Sequence, residues 1–121
     1  MISLVLPAPP SVNAAYRNVR GRGRVKTQAY HDWLDSAGHF LMQQRWQKVD
    51  GSYALEIKLS EKIRGDIDNR IKLVSDLLVS IKAVTDDKHA WKVSVERSPE
   101  VNEYDCYVTV MEWRDQAHAA A

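Results

Sequence analysis

YALEIKLSEKIRGDIDNRIKLVSDLLVSIK, residues 53–82, changes its hydrophobic period half-way. Over residues 53–60, Leu55, Ile57 and Leu59 alternate with Glu56, Lys58 and Ser60, which reads as a half-buried strand. From about Asp68 to Lys82 the apolar residues Ile67, Ile71, Val74, Leu78 and Ile81 recur at helical spacing, so a helix should follow. Asp66 and Asp68 stand at the junction, one residue apart and just after Gly65. Inside a helix, positions i and i+2 point to nearly opposite sides. At a helix entrance, after a glycine that permits a tight turn, they can point the same way. Two carboxylates that close repel unless something positive stands between them.

Outward from this segment the rest of the fold follows. ISLVL (2–6) is a short β-prone run stopped by Pro7, Pro9 and Pro10. Residues 11–26 read as a long loop, Ser, Asn and Gly with arginines spaced between them and made flexible by Gly21 and Gly23, and loops of that length in a compact domain are usually functional or disordered. Tyr30, Trp33, Leu34, Ala37, Phe40 and Leu41 form one stripe, predicting a helix over about 27–46 with Thr27 as its N-cap. Asp50–Gly51 makes a turn. WKVSVE (91–96) alternates with Trp91, Val93 and Val95 on one side, and YDCYVTVMEW (104–113) is a last strand. Asn102 between these two suggests a β-hairpin. The order β-α-β-α-β-β predicts an α+β fold, a small mixed sheet with two helices packed against it. It forms one domain over 1–114, followed by a frayed tail over 115–121.

At 121 residues and 27% charged, the chain has the size and composition of one ordinary globular domain. It has no apolar run long enough to span a membrane, and its N-terminus lacks the basic region of a secretory signal. The lone Cys106 excludes an internal disulfide and a multi-cysteine zinc site; it fits a reducing cytoplasm and a strand in the core. The net charge of +1 hides a segregation: residues 1–31 hold Arg17, Arg20, Arg22, Arg24 and Lys26 and no acid, so the rest of the chain is acidic. A basic arm before an acidic body suits a polyanion brought towards carboxylates.

The bland reading of Asp66 and Asp68 is helix capping, and that of Asp86 and Asp87 a polar turn. The sharper reading gathers the pair, one aspartate of the second pair and Lys72 into one oxygen-rich site. Such a site suits Mg²⁺ or Mn²⁺ rather than zinc, and phosphodiester cleavage. His31, His39, His89 and His118 have no metal-ligand spacing; His89, close to Asp87, is the one placed to assist. No glycine-rich phosphate loop is present.

PPSVNAAYR (9–17), GDIDNRIKLVSDLL (65–78) and TDDKH (85–89) together resemble the RusA family of Holliday junction resolvases. The resemblance covers roughly residues 3–112, and the D-x-D-N-x-x-K block beside a later D-D is its specific part. It implies a RusA-like fold and a homodimeric, Mg²⁺-dependent endonuclease that cuts four-way DNA junctions by paired nicks, in bacteria or their prophages. By the same resemblance Asp66, Asp68 and Asp87 would be metal ligands and Lys72 would serve the scissile phosphate or water. The basic segment Arg17, Arg20, Arg22, Arg24 and Lys26 would bind DNA. Two other readings remain from the residues alone: a DNA-binding module without catalysis, and a metal nuclease for flaps or ordinary duplex.

Overall fold

Alternating strands at both ends of the chain build one sheet, which a computed structural model describes over residues 1–113. Strand β1 (Ile2–Pro7) is followed by a single helical turn, α1 (Val12–Ala15). A two-stranded ribbon comes next, β2 (Tyr16–Val19) and β3 (Gly23–Lys26), and then helix α2 (Gln28–Met42). Strand β4 (Tyr53–Ser60) leads through a 3₁₀ turn (Asp68–Arg70) into helix α3 (Ile71–Ser80). A second 3₁₀ turn (Asp87–His89) precedes strands β5 (Ala90–Ser98) and β6 (Asp105–Glu112). The sheet order is β1-β6-β4-β5, with β5 parallel to β4 and the other pairs antiparallel. The expected mixed α+β architecture is therefore present. The tail assigned to residues 115–121 lies outside the described residues.

The register explains the core. Ile2, Leu4 and Leu6 lie opposite Val110, Val108 and Cys106, which lie opposite Leu55, Ile57 and Leu59. All nine side chains are buried, together with Tyr30, Trp33, Ala37 and Leu41 of α2 and Leu73, Val74, Leu77 and Leu78 of α3. Burial of each large aliphatic side chain contributes roughly 1.5–3 kcal/mol. In α3 the buried stripe keeps Val74 and Leu78 and adds Leu73 and Leu77, while Ile71 and Ile81 are only partly buried.

Three local expectations are corrected. Residues 11–26 are not a loop: Ser11 caps α1, and Tyr16↔Lys26 and Arg17↔Val25 begin a ribbon that turns at Arg20–Arg22. Gly21 and Gly23, at φ 80° and 73°, give that turn the conformation L side chains resist. Helix α2 stops at Met42, because the Gln44 amide donates to the Val5 carbonyl and accepts from the Val5 N–H, both at 2.7 Å. It thereby covers the free edge of β1. β5 and β6 do not form a hairpin, since β4, the most buried strand, separates them.

Nor do Trp91 and Val93 join the core: they are 67% and 42% exposed. β5 is an edge strand, and the register slips there, so that Tyr53 pairs with Ala90 and Ala54 with Lys92. Trp91 is left without a partner and stacks on Trp113, ring centroids 6.2 Å apart.

Candidate nuclease site

The two aspartates of the 65–72 segment do not act as caps. Ile67, not an aspartate, occupies the cap position of the 3₁₀ turn, and no side chain makes a capping bond there or at the start of α3. Asp66 and Asp68 are exposed. The ion pairs among the described residues are Lys48–Asp50, Lys58–Glu100 and Lys72–Asp76, so no basic side chain neutralises either aspartate. Gly65, at φ 82°, makes the tight turn in front of them.

Lys72 forms no ion pair with Asp68. Its Nζ lies 3.2 Å from Asp76, one turn further along α3. Asp76 was not singled out in the sequence, although its i+4 spacing from Lys72 was a readable signal.

The second aspartate pair divides its work. Asp86 caps the 3₁₀ turn, accepting from the Lys88 N–H at 3.0 Å. That N–H, then the neighbouring Asp87 carboxyl and the nearby Lys88 and His89 charges, hold the Asp86 carboxyl below the usual range. Asp87 is exposed and carries no capping role.

An open cleft of about 530 Å³ lies between α2, α3 and this turn. Asp76, Asp86 and Asp87 line it, with Tyr30 and with Lys26 from the end of the ribbon. The fold thus brings the basic ribbon, the Lys72 partner and the D-D turn to one cleft, whereas Asp66 and Asp68 do not line it. Beneath the D-D turn Tyr53 is fully buried, and its hydroxyl has no hydrogen-bond partner. Burial first, and then the Asp87 and Asp86 charges, push the phenol's pKa up.

The ribbon is seated on α2 by aromatic contacts. Tyr16 meets Tyr30 edge-on at 5.3 Å, the Arg24 guanidinium lies 4.1 Å over the Tyr16 ring, and Lys26 lies 5.1 Å over the Tyr30 ring. Thr27 ties the root, its hydroxyl donating to the Ala14 carbonyl at 2.6 Å. Arg17, Arg20 and Arg22 are exposed. The five basic residues are therefore of two kinds: Arg24 and Lys26 lie over rings, whereas Arg17 near the root and Arg20 and Arg22 at the turn make no such contact among the described residues.

The endodeoxyribonuclease RusA family profile matches residues 7–111, which include every one of these features. The chain belongs to the RusA family. No curated protein matches it significantly. As a RusA protein it is an endodeoxyribonuclease, a hydrolase of DNA phosphodiester bonds, and the family implies Holliday junction cleavage. No helix among the described residues is long and apolar enough to cross a membrane.

A divalent metal generally accompanies RusA nucleases. The donors available here, Asp66, Asp68 and Asp87, are all carboxylates and in their chemistry fit a hard cation. In geometry they are not gathered: among the described residues no three His, Cys, Asp or Glu side chains stand close enough to hold a metal ion.

Proposed function

We propose that this chain resolves four-way DNA junctions as a homodimer, by paired symmetric nicks that require Mg²⁺, in DNA recombination and repair in the cytoplasm of a bacterium or a prophage host. The observation that carries the reading is the RusA match over 7–111, with the D-x-D-N-x-x-K block and the later D-D pair inside it.

By the family resemblance Asp66, Asp68 and Asp87, which are not gathered in this structure, would come together to hold the ion, with Mn²⁺ able to substitute. A bound divalent ion supplies neutralisation of developing phosphate charge and an activated water. The chain's own residues do the rest. Exposed Arg17, Arg20 and Arg22 take the DNA backbone, while Arg24 and Lys26 extend the positive surface from the tip towards the cleft. Lys72, steadied by Asp76, offers its ammonium to the scissile phosphate or its water. A two-fold dimer presents two such sites, matching the pseudo-two-fold symmetry of a junction.

Side-by-side cleavage of a four-way junction, a flap and a linear duplex with Mg²⁺ tests this reading. Symmetric nicks in the junction alone are expected. Equal cutting of flap or duplex would make the chain a metal nuclease of broader choice, and binding without cutting would make it a DNA-binding module.

A further inference from the structure

Two guanidinium groups beside the aspartate-bearing loop bond to backbone carbonyls, not to the Asp66 or Asp68 carboxylates. Arg70 closes the 3₁₀ turn that Asp68 opens. Its Nη1 donates to the Pro9 carbonyl and its Nη2 to the Arg64 carbonyl, both at 2.6 Å. Arg97, from β5, donates to the carbonyls of Ile63 at 3.3 Å and Gly65 at 2.8 Å. Three successive carbonyls before Asp66 thus accept from guanidinium groups. An ordinary surface loop would leave them to water.

The two arginines differ in reach. Both of the Arg97 bonds fall within the loop. Arg70 also grips Pro9, two residues before Ser11, whose hydroxyl caps α1 at the root of the basic ribbon. Arg70 is held at a cost. It is half-buried, burial and the nearby Arg97 charge lower its pKa, and its Nε is buried without a partner. An apolar side chain would avoid that desolvation. What an apolar residue could not do is join two backbone segments with one rigid planar fork.

We propose that Arg70 is a positioning residue that locks the root of the DNA-binding ribbon to the loop carrying Asp66, so that DNA held by the ribbon meets the aspartates in a fixed register. Its consequence for cleavage rests on the function proposed above; the lock itself does not.

Hydrogen exchange on the full-length, metal-free protein tests the lock. Ile63 reports on the loop, since its N–H bonds to Ser60; Ala15 and Thr27 report on the root, bonded to Ser11 and Ala15. In Arg70→Met, exchange should rise about tenfold in both places at once, with β4 unchanged. In Arg97→Met it should rise at Ile63 only. Arg70→Lys keeps charge and bulk but lacks the fork, and should loosen both places while the protein stays folded. Wild-type exchange at Ala15 and Thr27 in Arg70→Lys and Arg70→Met, or identical patterns in the Arg70 and Arg97 variants, would overturn the lock. In junction cleavage, Arg70→Lys should cut about 10–100-fold more slowly than wild type with DNA affinity kept, as expected for misplacement rather than weaker binding. A wild type that cuts no junction would overturn the proposed function while the exchange result still decides the lock.

Discussion

The Lys72 ammonium lies 3.2 Å from the Asp76 carboxylate, one turn along α3 and at the edge of the cleft that Asp86 and Asp87 line. The pair is half-exposed, and its order, lysine before acid, is the weaker one on a helix, so it adds only a few tenths of a kcal/mol to stability. Its effect is on where Lys72 points. Asp76→Asn should therefore leave thermal stability within about 0.5 kcal/mol of wild type. It should slow single-turnover cleavage about tenfold by releasing Lys72, without weakening DNA binding, because an acid has been removed. Unchanged cleavage would place Lys72 outside the reaction.

Capping separates the four motif aspartates. Asp86 holds the Lys88 N–H, so Asp86→Ala should lower the midpoint of chemical denaturation, as loss of a cap does. Asp66→Asn and Asp68→Asn remove no cap and should each cost less than about 0.5 kcal/mol. A loss near 1 kcal/mol at Asp68 would return it to a structural role.

The exposed arginines Arg17, Arg20 and Arg22 should set the salt dependence of DNA binding. Neutralising Arg17, Arg20 and Arg22 together to Gln should flatten the log–log salt slope of duplex binding by about 0.9 for each phosphate the ribbon no longer neutralises. Arg24→Gln should instead loosen the ribbon root, since its guanidinium covers Tyr16. An unchanged slope in the triple variant would mean that the ribbon does not touch phosphates.

Cys106 gives a test of the core. It is free and buried in β6, and burial pushes its thiol pKa up to about 12. The native thiol should resist a disulfide reagent at neutral pH and react only on unfolding. Above the ordinary value of 9.0 the unfolded chain loses this proton while the folded one keeps it. Stability from this group is therefore whole below that pH and declines as pH rises towards about 12. Rapid labelling of the native protein would contradict the packing of β1 against β6.

Strands β1, β4 and β6 and both long helices were legible because each carries a periodic apolar face. The ribbon was hidden because its signal is two short strands with half-buried valines, and the arginine-glycine run between them looks like flexible chain. Sheet order was hidden as well: nothing local in β5 says that β4 lies between it and β6. At the site, the motif marked Asp66, Asp68, Lys72 and Asp87, but a side chain bonding to distant backbone leaves no local trace. Arg70 reaching Pro9, 61 residues away, appears only in the folded chain.

Cleavage should depend on both the metal and the motif aspartates. The most direct measurement is a gel assay of purified protein on a synthetic four-way junction, with and without Mg²⁺, beside Asp68→Asn. Paired symmetric nicks that require the metal and vanish in the variant, with junction binding kept, are the predicted result. Tight binding without cutting in wild type, at any Mg²⁺ or Mn²⁺ concentration, would contradict it.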